Sequence, residues 1–399
     1  MKVKSKILFV IDSLHCAGAE KSLTTLLNLL DYSKYSVDLQ LFGYGGEFEK
    51  LLPKDVTLLE PMEYTKFTEL SLNKAILKSV NPKNIKMLAA RIKYSRDIRK
   101  GQYTHAEKAR LYWQATEKVF PIRDKEYDIA ISYAQGIPTF YVAKKVKAKK
   151  KFAWVNVSYR LKPLDIEFQK QFYDKYDNIN AVSESTRDIL LESFPAYKDK
   201  MVVISDINDE KFINSMSEIG KSYEDNFEGL KLLTIGRLAP QKGYHIALEA
   251  CKLLKEKGVN FRWYVLGKGP LENEIREFIS SNELDDNFKL LGVSPNPYAY
   301  IKDCDIYVQT SVLEGFGIAI AEARMLNKPV VTTRFDAVFT QMIDRKNGLV
   351  VDMNAEAVAN GIMELINNKE LTDNIVEYLK AEKKGNIEEL DKFYDLIDR

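Results

Sequence analysis

Short apolar runs, each followed by a polar turn and then by apolar positions three or four apart, recur through both halves of this chain. The runs predict buried strands and the spacing predicts helices, an alternation that belongs to α/β architecture with parallel sheets. In the first half the predicted strands are Lys6 to Asp12, Ser36 to Phe42, Val56 to Leu59, Asp128 to Tyr133, Lys151 to Asn156, Asn178 to Val182 and Met201 to Ile204. In the second half they are Lys231 to Gly236, Arg262 to Gly267, Phe288 to Gly292, Ile306 to Gln309, Pro329 to Thr332 and Gly348 to Val351. These form two successive doubly wound sets. Between them Asp206 to Gly229 is polar and lacks sustained apolar periodicity, which marks it as a linker. Open parallel sheets bind ligands beyond the carboxyl ends of their strands, so two such domains facing one another create a cleft.

Composition supports this division and changes it little. With 399 residues, 45% hydrophobic and 29% charged, the chain can bury two large cores and is not a disordered tail. No short repeat and no long low-complexity segment interrupts it. Cys16, Cys251 and Cys304 lie far apart without metal-ligand spacing, so neither a disulfide scaffold nor a zinc site is expected, and a reducing cytoplasm fits. The opening basic residues and Ile7 to Ile11 superficially suggest a signal peptide. Asp12 cuts that apolar run short, and the stretch reads as the first strand. No apolar run is long enough to predict a transmembrane helix.

Charge adds a feature that the net value of +2 conceals. From Lys74 to Arg110 the basic residues face only Asp97 and Glu107, and a second cluster follows at Lys144, Lys145, Lys147, Lys149, Lys150 and Lys151. Such patches attract phosphate, here an anionic membrane surface or a lipid-linked acceptor in preference to nucleic acid. A solvated basic helix face is the alternative.

The candidate chemistry concentrates at Ser311-Val312-Leu313-Glu314-Gly315-Phe316-Gly317-Ile318-Ala319-Ile320-Ala321-Glu322, between a predicted strand and an Ala-rich helix. The first amides of a helix have no intrahelical acceptor and lie at the positive end of its dipole, so an anion at this turn meets ready donors. Glu314 precedes the turn and Glu322 lies about two helical turns beyond it, a separation that suits a long ligand with hydroxyls at both ends. Arg237 and Lys242, in Gly236-Arg237-Leu238-Ala239-Pro240-Gln241-Lys242-Gly243, could neutralise a diphosphate without a metal ion. Taken singly, each is also an ordinary solvated loop cation or surface acid.

Together these segments resemble the retaining glycosyltransferases of family four. Glu314 and Glu322 are similar to that family's Glu-x7-Glu motif, and the Arg237 to Gly243 loop to its Gly-Arg-Leu…Lys-Gly segment. Leu266-Gly267-Lys268-Gly269-Pro270-Leu271-Glu272 resembles its Leu-Gly-x-Gly-Pro turn, and His15-Cys16-Ala17-Gly18-Ala19-Glu20 its Gly-Gly-Ala-Glu loop, with Ala17 replacing a glycine. The resemblance implies the GT-B fold: two Rossmann-like doubly wound domains facing an interdomain cleft. Residues 1–208 would form the acceptor-side domain and 209–384 the nucleotide-sugar domain, with a final helix in 385–399 packing back on the first. It also implies a cytoplasmic, metal-independent, hexosyltransferase-type enzyme of capsular or other surface polysaccharide assembly. No cofactor is expected beyond the nucleotide-sugar donor, which would be UDP-linked, and the acceptor would be a glycan or lipid-linked.

Residue by residue, the resemblance implies that Glu314, Arg237 and Lys242 act in catalysis, Glu314 on the transferred sugar and the two cations on the leaving diphosphate. Glu322 would take the ribose diol. Phe316, Gly317 and Ile318 would offer amides to the diphosphate, helped by Gly315, Gly267, Gly269 and Gly18, although the Phe316 ring is equally a packing group and Gly18 equally a tight turn. Two departures stand out. Where many relatives have a histidine this chain has Asn156, followed by Val157-Ser158-Tyr159-Arg160, and asparagine cannot shuttle protons at neutral pH. The catalytic base is thereby unassigned, a loss that front-face transfer to the departing phosphate tolerates; His105 and His245 are poor substitutes. Thr333-Arg334-Phe335-Asp336-Ala337 also lacks a double glycine common in the family. Gly267-Lys268-Gly269 is no dinucleotide fingerprint, and Asp303-Cys304-Asp305 reads as a strand-leading segment instead of a metal motif. The rivals are a nucleotide-sugar epimerase of the same fold and a non-catalytic sugar-nucleotide-binding partner.

Overall fold

In the computed structural model, which describes residues 4–15, 17–157, 160–220, 222–294 and 296–398, two parallel sheets carry the architecture. The first contains β1 (Ser5–Ile11), β2 (Tyr35–Leu41), β3 (Val56–Leu58), β4 (Glu126–Ser132), β5 (Lys147–Val155), β6 (Asn178–Ala181) and β7 (Met201–Val203). The second contains β8 (Leu230–Ile235), β9 (Phe261–Leu266), β10 (Phe288–Gly292), β11 (Ile306–Gln309), β12 (Val330–Thr333) and β13 (Leu349–Val351). Their orders are β3-β2-β1-β4-β5-β6-β7 and β10-β9-β8-β11-β12-β13. Every expected strand forms, with ends shifted by a few residues.

The central strands read largely as apolar runs because helices cover both faces of each sheet. Ile7, Phe9 and Ile11 of β1 pack on Leu23, Leu26 and Leu27, whereas Leu8 and Val10 face a second core containing Trp113, Phe140 and Tyr141. In the second sheet, Val265 and Val308 face one core while Tyr264 and Tyr307 face another. The Phe316 ring packs against one core of each sheet.

The chain crosses between the sheets twice. The helix Glu389–Asp398 returns to the first sheet, where Phe393 stacks on Phe9 and Tyr394 on Tyr35. The two crossings are tied together: Asn208 N donates to Asn386 Oδ1 at 2.8 Å, and Ser205 N to Glu389 Oε2 at 2.9 Å.

Two expectations need correction. The stretch Asp206 to Gly229 is not structureless, since Glu210–Ser217 is a helix whose N-cap, Asp209, accepts from Lys211 N at 2.9 Å. Only Ile213 and Ser217 are buried in it, so its periodicity is too short to stand out in the sequence. The lysines from 144 to 151 do not form one basic surface either. Lys147 to Lys151 lie along β5, where a strand sends successive side chains to opposite faces. Lys149 pairs with Asp128 at 2.7 Å, Lys144 with Glu117 at 3.6 Å, and Lys151 donates to the Ala143 carbonyl.

Candidate functional site

The carboxyl ends of β8 and β11 bring the two charged loops together. After β8 the chain makes one 3-10 turn at Pro240–Lys242 and reverses at Gly243, whose φ of 64° is left-handed. A Cβ there would collide with the Thr310 carbonyl oxygen, so only glycine permits the approach. Val312 N then donates to the Gln241 carbonyl at 2.8 Å, fastening the loop after β8 to the loop after β11.

This fastening sets Glu314 beside Lys242. The Glu314 Oε1 atom accepts from Lys242 Nζ, from Gln309 Nε2 at 2.8 Å and from Ser311 Oγ at 2.7 Å. Three donors converge on this one oxygen and hold the carboxylate in place as an acceptor. Arg237 is different: exposed, it carries no ion pair among the described residues and lies within electrostatic reach of Glu20 and His105 across the cleft.

Gly317 starts the helix Ile318–Met325 with φ of 86°, and no side chain caps this N-terminus. Gln341 Nε2 donates to the Phe316 and Gly317 carbonyls. Opposite stands the N-terminus of the helix Gly18–Leu29, also without a side-chain cap; a Cβ on Gly18 would lie 3.7 Å from Ile318 Cδ1. Two uncapped helix starts thus meet across the cleft, each with donors and a positive dipole end.

Glu322 is 2% exposed and reached from both domains. Lys21 of the first domain pairs with its Oε1 atom, which also accepts from the Tyr298 hydroxyl at 3.3 Å, while the Lys21 ammonium lies 4.5 Å from the Tyr298 ring centre. Burial acts to lower the Lys21 pKa, but Glu322 and Tyr298 together outweigh it and hold the ammonium well above its ordinary value. A small recess open to solvent adjoins this pair and is lined by Ser22, Asn208, Phe212 and Ile318 among others.

The remaining expected glycines sit elsewhere. Gly267 and Gly269 let the loop after β9 press on the Gly236 and Leu238 carbonyls, and Gly267 N is already engaged by the Gly292 carbonyl at 2.7 Å. Their place in the structure is therefore loop packing. Gly315 lies at the domain boundary, where a Cβ would collide with the Asn156 carbonyl and where Ser183 Oγ donates to the Gly315 carbonyl at 2.9 Å. Asn156 anchors that boundary through Tyr133 O at 2.7 Å and Gln135 Oε1 at 2.9 Å, and its buried Oδ1 has no partner among the described residues. Cys16, Ser158 and Tyr159 lie outside the described residues. Asp305 accepts from Lys231 N at 2.7 Å and Asp303 from Ser222 Oγ, both holding local structure.

Sequence reasoning passed over four groups. Asp12, at the end of β1, and Glu20 are held up at about 7, each chiefly by burial, with Asp12 adding to the rise of Glu20 and Arg237 opposing it. Lys21 directly follows Glu20, so adjacency to the glycine loop was an available signal. Tyr298 carried none, because it meets Glu322 only through the fold.

Residues 216–382 match a family described as Glycosyl transferases group 1, and this span contains both charged loops and both glutamates. That domain is a group 1 glycosyltransferase domain. An uncharacterized glycosyltransferase of Methanocaldococcus jannaschii is 30% identical over 167 residues, 41% of each chain. A Staphylococcus aureus capsular polysaccharide biosynthesis glycosyltransferase is 28% identical over 212 residues, 50% of this chain and 54% of that one. The chain spans about a third to two-fifths of the length of the first curated relatives it matches. Anabaena HepE, solved with UDP and glucose, is structurally similar at TM-score 0.71, 17% identity and 99% coverage of both chains. An S. aureus TarM mutant solved with UDP, fondaparinux and alpha-GlcNAc-glycerol gives TM-score 0.68 at 15% identity, covering 99% of this chain and 100% of that one. These likenesses extend the glycosyltransferase domain to a whole-chain architecture, the two-domain GT-B fold.

Proposed function

We propose that this chain is a retaining glycosyltransferase that moves a sugar from a UDP-linked donor to a glycan or lipid-linked acceptor in surface polysaccharide assembly. The observation that carries the proposal is the pair of uncapped helix starts at Gly18 and Gly317, set between Arg237 and the two glutamates. In this proposal the diphosphate lies at the helix starts, Glu322 takes the ribose diol and Glu314 a hydroxyl of the transferred sugar. UDP, with which both HepE and TarM were solved, supports the choice of base.

The anomeric carbon–phosphate oxygen bond breaks and a bond to the acceptor oxygen forms on the same face of the sugar. The acceptor proton passes to the departing diphosphate, which Arg237 and Lys242 stabilise as charge develops. Asn156 takes no part in moving that proton. A panel of UDP-sugars incubated with purified protein and acceptor tests the proposal. UDP should be released in excess chelator, and the product should keep the donor's anomeric configuration by NMR. Interconversion of the donor without UDP release would favour an epimerase; binding without turnover would favour a non-catalytic partner.

A further inference from the structure

The helices Leu72–Lys78 and Pro82–Asp97 present an apolar surface outward. In the first, Ala75 is the only buried residue, so Leu72, Ile76 and Leu77 all face solvent. Leu77 is 76% exposed, and Val80, in the turn between the helices, 85%. Ile85 and Ile92 continue this surface along one face of the second helix. A solvated helix normally turns such residues inward, so a contiguous exposed set marks a contact surface.

Cations border it. Lys74, Lys78 and Lys86 carry no ion pair among the described residues, whereas Lys83 pairs with Glu63, and Arg96 and Lys100 pair with Asp97. A second copy of the chain would set like charges against one another in a symmetric contact. An anionic bilayer answers both features, with headgroups for the ammonium groups and an acyl boundary for Leu77 and Val80. Among the described residues no helix is long and apolar enough to cross a membrane, so this contact would be peripheral.

We infer that the corner formed by Leu77 and Val80 inserts into the surface of an anionic membrane. Docking rests on this surface alone; its use, presenting a lipid-linked acceptor to the cleft, rests on the proposed transferase activity. The helix Pro82–Asp97, about 24 Å long, runs from the corner toward His105, which feels Arg237 at the cleft.

Sedimentation with vesicles tests the inference independently of catalysis. Wild-type protein should bind phosphatidylglycerol-containing vesicles and not pure phosphatidylcholine, and binding should weaken in high salt. Leu77→Ser/Val80→Ser should weaken it by on the order of tenfold or more, with an unchanged thermal midpoint because both side chains are exposed. Lys144→Ser/Lys149→Ser should bind as wild type. As a check independent of that double variant, Val80→Trp should show blue-shifted emission, relative to wild type, on adding anionic vesicles. The inference fails if wild type stays in the supernatant, if the Leu77/Val80 variant binds undiminished, or if the corner instead drives self-association that the variant abolishes.

Discussion

The first six strands of the N-terminal sheet and the six of the C-terminal sheet repeat one order, yet the two domains spend their residues differently. Between β3 and β4 the first domain inserts residues 59–125, containing the exposed Leu77 corner and the aromatic residues Trp113 and Phe120, which share a core with Phe140 beyond β4. At the matching place, between β10 and β11, the second has only residues 293–305 with the short helix Tyr298–Asp303. Conversely, the second domain draws its loops together backbone to backbone at Gly243, Gly267 and Gly269, whereas in the first Gly46 makes such an approach to Leu14 and its neighbour Gly45 has open space around it. Tight glycine loops hold charged groups in fixed positions, and the family match falls on that domain. The inserted helices instead add surface, as presentation of a varied acceptor would require.

The strongest challenge to treating the domains separately is Lys21. Lys21→Met strands the buried Glu322 carboxylate and should cost about 3–5 kcal/mol in chemical denaturation, the scale of a broken buried pair. Much of that should return in Lys21→Met/Glu322→Gln. Additive losses in the double variant would mean that the pair does not couple the domains.

The contrast in glycine packing predicts the next effect. Gly243→Ala combines left-handed strain with a collision and should destabilise the second domain by roughly 2–4 kcal/mol. Gly45→Ala, at φ of 84° but in open space, should cost about 1–2 kcal/mol. Equal losses on guanidinium unfolding would remove the distinction.

Within the second domain the two glutamates should separate by assay. Glu322→Gln should weaken UDP binding by about 1–3 kcal/mol in calorimetry, whereas Glu314→Gln should leave UDP bound and depress turnover. Unchanged UDP affinity in Glu322→Gln would take that residue out of the ribose role.

The smallest expected effect concerns pH. Asp12 and Glu20 are held up at about 7, above their unfolded values near 4. The folded chain therefore keeps protons that the unfolded chain has released, so their contribution to stability is full below about pH 4 and lost as pH rises through about 7. A UDP-sugar, whose diphosphate should meet the same carboxyls, should bind more weakly at about pH 8 than at about pH 6. Asp12→Asn/Glu20→Gln should flatten the profile; an unaltered slope would place the titration elsewhere.

All thirteen strands were legible in the sequence because the central ones are buried apolar runs between turns and even the edge strand β3 keeps Val56 and Leu58 on either side of an exposed Thr57. The β11 loop was legible too, since Gly317 must adopt a left-handed φ and Glu314 and Glu322 flank it in one segment. The helix Glu210–Ser217 was not, having too few buried positions to establish a period. Tertiary structure alone decided partnerships between distant residues: Lys21 with Glu322, Gly315 against Asn156, and Arg237 near Glu20 and His105. It also divided each basic run, pairing Lys149 with Asp128 on β5 and Lys83 with Glu63 and Lys100 with Asp97 in the helical run, while setting Lys74, Lys78 and Lys86 beside exposed leucine and isoleucine. Local sequence specifies backbone shape and which side chains avoid water, because those depend on near neighbours. Which charge meets which depends on how two sheets face each other, and that is set by the packing of the whole chain.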